Sequence, residues 1–482
     1  MISSHNISQK TYQRIIQLEL NEISKKAIDD LITQKQLPHF ATMNRDWCYY
    51  ETTSESQYEH LEPWIQWITA HTGKSFHEHR IFRLSDAIHL QHPQIWETLS
   101  KHHIESCIIG SMNAIRGKAN QGFFFPDPWS KDGVTYPVGI QPLWDLISKK
   151  IHSHATQKIT LTDLLQGFHI CRRFKLPIHL YQTIAKQFIL QKKDPMTKWK
   201  LAGIFDQFLM AIFTTLLKNK SYRYYTLFLN SVAHYQHHYW RNFQRAYFNP
   251  MIHTPDCRPE QDPMTYGYQL YDNMIGTVLK LAEDPHTLVI VASGLSQAPY
   301  LQKENQGGMN YYRLYNHTAL MEKLDLHDYR VLPMMSRDWQ IVANHPEKLS
   351  RAAQRLSGLR AAGQPIFTLT NNTEHSLFIE TAITDKIDPT SPLYDAVGQS
   401  LGAFKDYFHH IAVKSGHHIG TGSVWFSQPV FSQTTTTLPL TALYSMTLRA
   451  FGINPPDGDI PTPQTKTFVP PPSLKSSPSI VQ

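Results

Sequence analysis

The sequence predicts an α/β protein with a central, mostly parallel sheet flanked by helices, a helical insertion and a smaller cap insertion. Apolar strand patterns recur at 14–20, 106–110, 225–230 and 287–292, and helical periodicity lies between the first of them. The 482 residues, 41% hydrophobic and 18% charged, have ordinary globular composition. That length could hold two to four domains, and it equally permits one large domain carrying insertions.

The first strand pattern, Arg14 to Leu20, stops at Asn21 and Glu22, and helical periodicity follows from Ser24 to Gln34. A strand, a polar turn and a helix in this order open a βαβ unit. Open α/β sheets place their chemistry at the carboxyl ends of such strands. Further helices are predicted at 63–70, 93–101, 268–282 and 439–451, further strands at 376–379 and 423–426, and loops at 123–129 and 415–420.

Between Leu143 and Tyr222 the pattern becomes helical and basic, with no strand alternation, which predicts an inserted helical subdomain. We divide the chain accordingly. The predicted parts are a first core part (12–142), the helical basic insertion (143–222), a second core part (223–300), a cap or insertion (301–365), a third core part (366–454) and a flexible Pro-rich tail (455–482).

Cysteine usage and the first residues predict a cellular setting. The four cysteines show no CxxC pairing, which argues against a disulfide framework and against a thiolate zinc knot. Met1 to Tyr12 contain no apolar core of a signal peptide. We therefore expect a reducing, cytoplasmic location, either free in the cytoplasm or at the inner face of the membrane.

Positive charge is concentrated in one stretch. Formal net charge is +7, and eight basic residues between Arg172 and Lys200 face a single acid, Asp194. Such a run attracts anionic partners, although a solvated helix face is the simpler explanation. The apolar segment 201–217 is short for a membrane span and contains Asp206, so we predict a buried or interfacial helix compatible with peripheral membrane contact. The run has no interleaved base-stacking motif beyond Trp199, so no nucleic acid is expected.

Histidines supply the strongest candidates for chemistry. His234 and His238 are four residues apart, so on a helical turn both rings project from one face and could bind one metal ion. His237 competes for that role, and exposed or stacking histidines are the alternative. His418, in the segment 415–420, would by itself be interpreted as a surface histidine.

Carboxylates near predicted strand and helix ends form a second group. Glu19 and Glu22 flank Asn21 at the end of the first strand, and Glu62 precedes a helix. A helix N-terminus favours a carboxylate electrostatically, so capping is the alternative role for Glu62. Ser293 to Gln297 follow the clearest strand, and their hydroxyl and N–H groups could hold an anion or form a turn.

Several segments, in order along the chain, resemble the motifs of one known pattern: Leu20-Asn21, Leu37–Phe40 (an LPN-like turn), Trp67–Gly73 with Glu78–Phe82 (TG…P..HGIF), His234–Trp240 (D-x-x-x-H), Thr287–Ser296 (a strand ending in Asp-His-Gly) and Gly416–Gly422 (G-x-H…G). The chain thus resembles the alkaline phosphatase superfamily, and within it the type I phosphodiesterase and nucleotide pyrophosphatase branch. The likeness covers most of the chain outside the two insertions.

The resemblance implies a two-metal site that acts on phosphate esters through a Thr or Ser nucleophile. This chain departs from it. The first-strand Asp becomes Asn21, the nucleophile position falls near Glu62 or Pro63, and the Asp-His pair becomes Gly294-Leu295. The resemblance then leaves three imidazoles for one divalent metal ion, zinc or alternatively manganese: His234, His238 and His418.

From the resemblance we expect a metal-dependent hydrolase or transferase with a single-metal site, acting on a phosphorylated or glycan-linked substrate. The candidate catalytic residues are Glu62, Glu19 and Asn21, with Glu62 or Glu19 as general base. The expected partner is an anionic small molecule or a lipid-linked substrate. The alternative is a non-catalytic descendant of the fold that binds a ligand or partner. The sequence indicates no oligomeric state.

Overall fold

The computed structural model of the chain describes residues 11–118, 120–130, 133–152, 161–219, 221–333, 337–373, 375–430 and 436–456. The predicted Pro-rich tail at 455–482 therefore lies almost wholly outside the described residues. So do the first ten residues, on which the expectation about a signal peptide rests.

The first half of the chain alternates strands with helices and then becomes purely helical. Its elements are β1 (Arg14–Leu20), α1 (Lys25–Thr33), α2 (Pro38–Asp46), β2 (Cys48–Thr53), α3 (Pro63–Thr72), α4 (Phe76–His79), α5 (Ile95–Lys101), β3 (Ser106–Ile109), β4 (Phe124–Phe125), α6 (Gln141–His152), α7 (Leu161–Arg173), α8 (Ile178–Lys193) and α9 (Lys200–Lys218).

The second half returns to strands and ends in a helix. It contains β5 (Tyr224–Leu229), α10 (Ser231–Phe243), α11 (Pro263–Leu281), β6 (Thr287–Ala292), β7 (Ser296–Pro299), β8 (Met309–Leu314), α12 (His317–Lys323), β9 (Arg330–Pro333), β10 (Trp339–Val342), α13 (Pro346–Ser357), β11 (Arg360–Ala361), β12 (Gln364–Pro365), β13 (Phe367–Thr373), β14 (Ser376–Thr381), β15 (Pro392–Tyr394), β16 (Ser400–Ala403), β17 (Phe408–Lys414), β18 (Gly416–Ile419), β19 (Thr421–Phe426), β20 (Thr437–Pro439) and α14 (Ala442–Ala450).

The central sheet has eight strands in the order β20-β2-β19-β6-β1-β5-β3-β4. All of its neighbouring strands run parallel except β19, which is antiparallel to both β6 and β2. The predicted fold class, a mostly parallel sheet flanked by helices, is confirmed. Strands β2, β4 and β20 were not predicted, and β4 lies inside the segment that we expected to be a loop.

Strand β1 is the centre of this sheet and is buried along its whole length. Its side chains alternate between two hydrophobic cores: Ile16 and Leu18 pack in one, and Ile15 packs in the other. Leu20 pairs with Leu229 of β5, and Glu19 pairs with Ala292 of β6. The residues that follow the three strands therefore meet at one edge of the sheet.

Helix α9 connects the helical insertion to that edge. Among the described residues, α9 is the one helix that is both long enough and apolar enough to cross a membrane, judged by length and composition alone. Its Phe213 packs in the first core, and its Asp206 is buried. The Asp206 carboxylate accepts hydrogen bonds from the backbone N–H groups of Asn230 (3.3 Å) and Ser231 (2.8 Å) and from the Tyr271 hydroxyl (2.8 Å). This packing agrees with the prediction of a buried helix, and it fixes the start of α10.

A third hydrophobic core, running from Tyr312 to Phe408, lies in the segment between β8 and β17. Its sheets have the orders β13-β14-β10-β9 and β12-β11-β15-β16. Strand β14 pairs with both β13 and β10, and neither β13 nor β14 joins the central sheet, so the strands of this cap come from both sides of the boundary predicted at 365. A short apolar strand has the same local pattern in either sheet, so its partner is decided by tertiary structure.

We expect Asp206→Ala to lower the free energy of unfolding by about 2–4 kcal/mol, because two buried N–H groups and a buried hydroxyl lose their acceptor. Urea denaturation at pH 7.5 measures it. At that pH the carboxyl is ionised, since burial raises the pKa of Asp206 only to about 6. Asp46→Ala is the control: this carboxylate pairs with Arg45 on the surface, and its loss should leave the free energy of unfolding nearly unchanged. Equal effects of the two changes would contradict this account.

Candidate metal centre

Three side chains from distant parts of the chain meet at the carboxyl edge of the sheet. The ligand atoms of Glu22, His237 and His418 lie within 4.8 Å of one another. Among the described residues, this is the one group of three or more His, Cys, Asp or Glu side chains that could hold a metal ion. Nε2 of His237 is 3.2 Å, and Nε2 of His418 is 3.1 Å, from the same Glu22 oxygen, Oε2. One carboxylate therefore lies between two imidazoles.

The turn after β1 presents Glu22. Its backbone is in the left-handed region, with φ 58°, which turns the chain sharply out of the strand. Its carbonyl accepts a hydrogen bond from Gln236 Nε2 at 2.6 Å. The side-chain amides of Asn21 (2.8 Å) and Gln297 both donate to its carboxylate. Glu22 is 1% exposed, so these contacts replace the water that its charge has lost.

A close approach of β18 to α10 brings the two imidazoles together. A Cβ atom at Gly416 would lie 2.3 Å from the Gln236 carbonyl oxygen, so no larger residue fits there without movement. The Ser415 hydroxyl accepts a hydrogen bond from the Trp240 N–H at 2.9 Å, and the Ser415 N–H donates to the His237 carbonyl at 2.9 Å. The ring centroids of His237 and His418 are consequently 5.0 Å apart.

The charges of this cluster balance one another. Burial by itself would raise the pKa of Glu22, but His418 and His237 hold it well below its ordinary value. For His418 burial acts in the opposite direction and by itself would lower the pKa. The carboxylates of Glu22 and Glu62 outweigh burial, so the pKa of His418 is raised. For His237, burial dominates over the attraction of Glu22, and its pKa is lowered. At pH 6.5 the favoured state is therefore an ionised Glu22 between a protonated His418 and a neutral His237.

Glu62 lies beside the cluster and does not cap its helix. It occupies the N-cap position of α3 but makes no side-chain capping bond. Its Oε2 lies 3.9 Å from His418 Nδ1, and its side chain is 36% exposed. Desolvation and the charge of Glu22, partly offset by His418 and Lys414, raise the pKa of Glu62 to about 7. The carboxyl can thus both accept and release a proton near neutral pH.

His234 and His238 share one face of α10, as their spacing predicts, with ring centroids 4.8 Å apart. Neither belongs to the group formed by Glu22, His237 and His418. Although His234 is exposed, protein atoms displace enough water around its ring to lower its pKa to about 4. Burial also lowers the pKa of His238 well below its ordinary value. The assignment of His234, His238 and His418 to one ion stays a prediction, and the structure offers His237 as the closer partner of His418.

The two remaining candidates have structural partners. Glu19 is fully buried, and its carboxylate contacts His71 Nε2 at 2.9 Å and accepts a hydrogen bond from Gln17. Asn21 accepts a hydrogen bond from Trp67 Nε1 at 2.8 Å and donates to Asn230 Oδ1 at 2.8 Å. Asn21 therefore holds Glu22 in place. Glu19 lies within strand β1 and is buried in the core.

The segment after β6 forms a bend, as one of its two predicted roles requires, and its hydroxyl groups bond to neighbouring backbone. The Ser293 hydroxyl accepts a hydrogen bond from the Ser423 N–H, and the Ser296 hydroxyl donates to the Ile23 carbonyl. Gln297 is the residue that reaches the cluster, through its bond to Glu22. Sequence reasoning did not single out Gln297, and it named Glu22 and His237 without assigning them to the site. Their positions just after strand ends were the available signal.

The donor set fits a divalent metal ion. Two imidazoles and one carboxylate form the set that holds catalytic zinc in some hydrolases, with a further position for water or substrate. The Glu22 carboxylate is buried, the three ligand atoms converge, and the side-chain amides of Asn21 and Gln297 orient the carboxylate. Holding the ion would require His418 to give up its proton, so binding is coupled to pH.

Comparisons with known proteins give structural neighbours only. No family model matches the chain, and no curated protein matches it in sequence. Phosphonoacetate hydrolase from Sinorhizobium meliloti, in complex with phosphonoacetate, has 12% identity over 92% of this chain and 96% of that chain, with a TM-score of 0.42. Human ectonucleotide pyrophosphatase/phosphodiesterase 5 has 12% identity over 93% and 97% of the two chains, and its TM-score is also 0.42.

The chain is similar in structure to both. The murine ectonucleotide pyrophosphatase/phosphodiesterase 5 gives 10% identity and a TM-score of 0.40 over 92% of this chain and 96% of that chain. A likeness this distant concerns the fold and assigns neither an activity nor a substrate to this chain.

Metal binding distinguishes the two sets of histidines. We expect wild-type protein to bind about one equivalent of zinc, and a His237→Ala, His418→Ala double variant to bind it at least about tenfold more weakly, because two of the three ligands are removed. Isothermal titration calorimetry measures both. The matched control is His234→Ala, His238→Ala, which removes two imidazoles from the same helix face and should leave the affinity unchanged. If the His234→Ala, His238→Ala variant lost zinc affinity and the His237→Ala, His418→Ala variant kept it, this assignment would be wrong and the ligand set predicted from sequence would be favoured.

The pH dependence follows from the raised pKa of His418. In metal-free protein, we expect Glu22→Gln to lower this pKa, because the nearest negative charge is removed. An NMR titration of the imidazole C–H signals measures it. Since the folded-state pKa lies above the ordinary 6.5, protonated His418 stabilises the fold below that pH, and this contribution is lost as the pH rises through the raised pKa. An unchanged His418 pKa in Glu22→Gln would contradict the charge arrangement, and Glu322→Gln, an exposed change on α12, is the control.

Proposed function

We propose that this chain is a metal-dependent hydrolase or transferase acting on a phosphorylated substrate, with one zinc ion as the preferred cofactor and manganese as the alternative. The observation that carries the proposal is the convergence of Glu22, His237 and His418 within 4.8 Å at the carboxyl edge of the sheet. A zinc ion there would polarise a substrate oxygen and neutralise the charge that develops on it.

Positive side chains from the cap support an anionic substrate. Lys414 is close enough to Glu62 for each to shift the pKa of the other, and its Nζ lies 4.7 Å from the Tyr300 ring centroid. Burial and the charge of Arg337 lower the pKa of Lys414. Arg337 in turn lies over the Tyr311 ring at 4.5 Å. Arg337 is paired with Glu380 at 2.8 Å, so Lys414 is the cation beside Glu62 that suits phosphate oxygens.

Glu62 is the candidate general base. It lies next to His418 and is partly exposed, so a substrate hydroxyl or a water molecule can reach it. The raised pKa leaves a large fraction of its carboxyl ionised at pH 7 to 8, ready to accept a proton. No Ser or Thr hydroxyl stands at position 62 or 63, so direct attack by an activated water or acceptor hydroxyl is preferred to a covalent intermediate.

A non-catalytic, ligand-binding descendant of the fold is the second candidate. The observation that favours it is the amide pair at the ends of β1 and β5, where Asn21 donates to Asn230 at 2.8 Å. Amides that satisfy each other ligate a cation more weakly than carboxylates would. Gly294 and Leu295, which follow β6, add no metal-ligating side chain.

The activity test uses zinc- or manganese-loaded protein on aryl phosphate mono- and diesters. We expect turnover that Glu62→Gln lowers by about 10²–10⁴ in kcat without reducing the amount of bound metal, because proton transfer is lost while the ligands stay. Glu322→Gln, on the exposed side of α12, should change nothing. A folded protein that binds neither ion contradicts the proposal and favours the ligand-binding alternative.

A further inference from the structure

Helices α7 and α8, in the basic insertion, expose large apolar side chains to solvent. The members of this apolar face are 43–75% exposed: Leu165, Phe168, Ile178, Phe188 and Ile189. Isolated exposed apolar residues need no explanation, but five on two neighbouring helices form a patch of the kind that marks an interaction site.

The residues of the apolar face lie away from the inner side of the helix pair. In α8, Leu180 and Gln187 are buried and define the inner side. At 100° per residue, Ile178 and Ile189 project from the opposite side, and Phe188 lies between the two sides. The ring of Phe168 in α7 contacts that of Tyr181 in α8, with centroids 5.8 Å apart. Leu165 precedes Phe168 by one helical turn, so it extends the same surface.

Cations surround the apolar face and no acid interrupts it. From Leu165 to Lys193 the sequence contains no Asp or Glu. Its basic residues are all exposed: Arg172, Arg173, Lys175, Lys186, Lys192 and Lys193. The next acid, Asp194, is already paired with Arg258 at 2.9 Å. The surface therefore combines exposed apolar side chains with a single sign of charge.

We propose that the apolar face of α7 and α8 docks on the surface of a membrane that contains anionic lipids. The apolar side chains enter the boundary between headgroups and acyl chains, and the surrounding cations contact lipid phosphates. Charge complementarity favours an anionic membrane as the partner, because the six exposed cations between residues 165 and 193 have no acid among them and suit a uniformly anionic surface. Nucleic acid would satisfy the cations but would leave Ile178 and Ile189 exposed. The inference is independent of the proposed activity, because no residue of this face belongs to the metal centre.

The test is flotation of the full chain with vesicles of phosphatidylcholine alone and with phosphatidylglycerol added. We expect binding to the anionic vesicles at least about tenfold stronger than to the neutral ones, and a decrease in binding with added salt. Two variants should each weaken it about tenfold or more: Ile178→Ser with Ile189→Ser, and Lys186→Gln with Lys192→Gln and Lys193→Gln.

Matched controls keep the number and type of changes the same. Ile88→Ser with Val397→Ser replaces two exposed apolar residues elsewhere, and Lys101→Gln with Lys118→Gln and Lys280→Gln removes three exposed cations elsewhere. Both controls should bind vesicles like wild type, and thermal melting checks that every variant is folded. The proposal is overturned by equal binding to both vesicle types, by variants that bind like their controls, or by a dimer in solution that dissociates when Ile178 and Ile189 are changed.

Discussion

A buried carboxylate can remain ionised inside this protein only because positive and polar groups surround it. Glu22 is held by His237, His418, Asn21 and Gln297, and each comes from a different part of the chain. Removing a charge from water costs several kcal/mol unless hydrogen bonds and opposite charge replace the water. The turn after β1, the start of α10 and the pairing of β7 with β18 must therefore all be in place together.

The fold meets this requirement through the parallel register of its central sheet. Parallel neighbours bring the ends of β1, β5 and β6 to one edge, and the buried Asp206 fixes the first turn of α10 at that edge. The absence of a side chain at Gly416 then lets β18 touch α10. The geometry of the centre thus depends on contacts in the core and in the sheet as much as on the ligands themselves.

The cap and the helical insertion add charge to this framework at two separate places. Lys414 brings positive charge next to Glu62, where an anionic substrate would lie. The insertion instead carries its cations around an exposed apolar face on α7 and α8. The cation at the candidate centre and the cations of the helices therefore lie on separate surfaces with different surroundings.

The sequence by itself determined the central strands, most flanking helices and the edge of the sheet where polar residues gather, because burial on both faces and helical periodicity are local patterns. It also marked His418 and Glu62 as candidates. Only the tertiary structure decided which histidine of α10 faces His418. His234, His237 and His238 are equivalent in sequence, and the close packing of Gly416 against Gln236 selects His237. Partner choice across hundreds of residues depends on packing, which no local pattern contains.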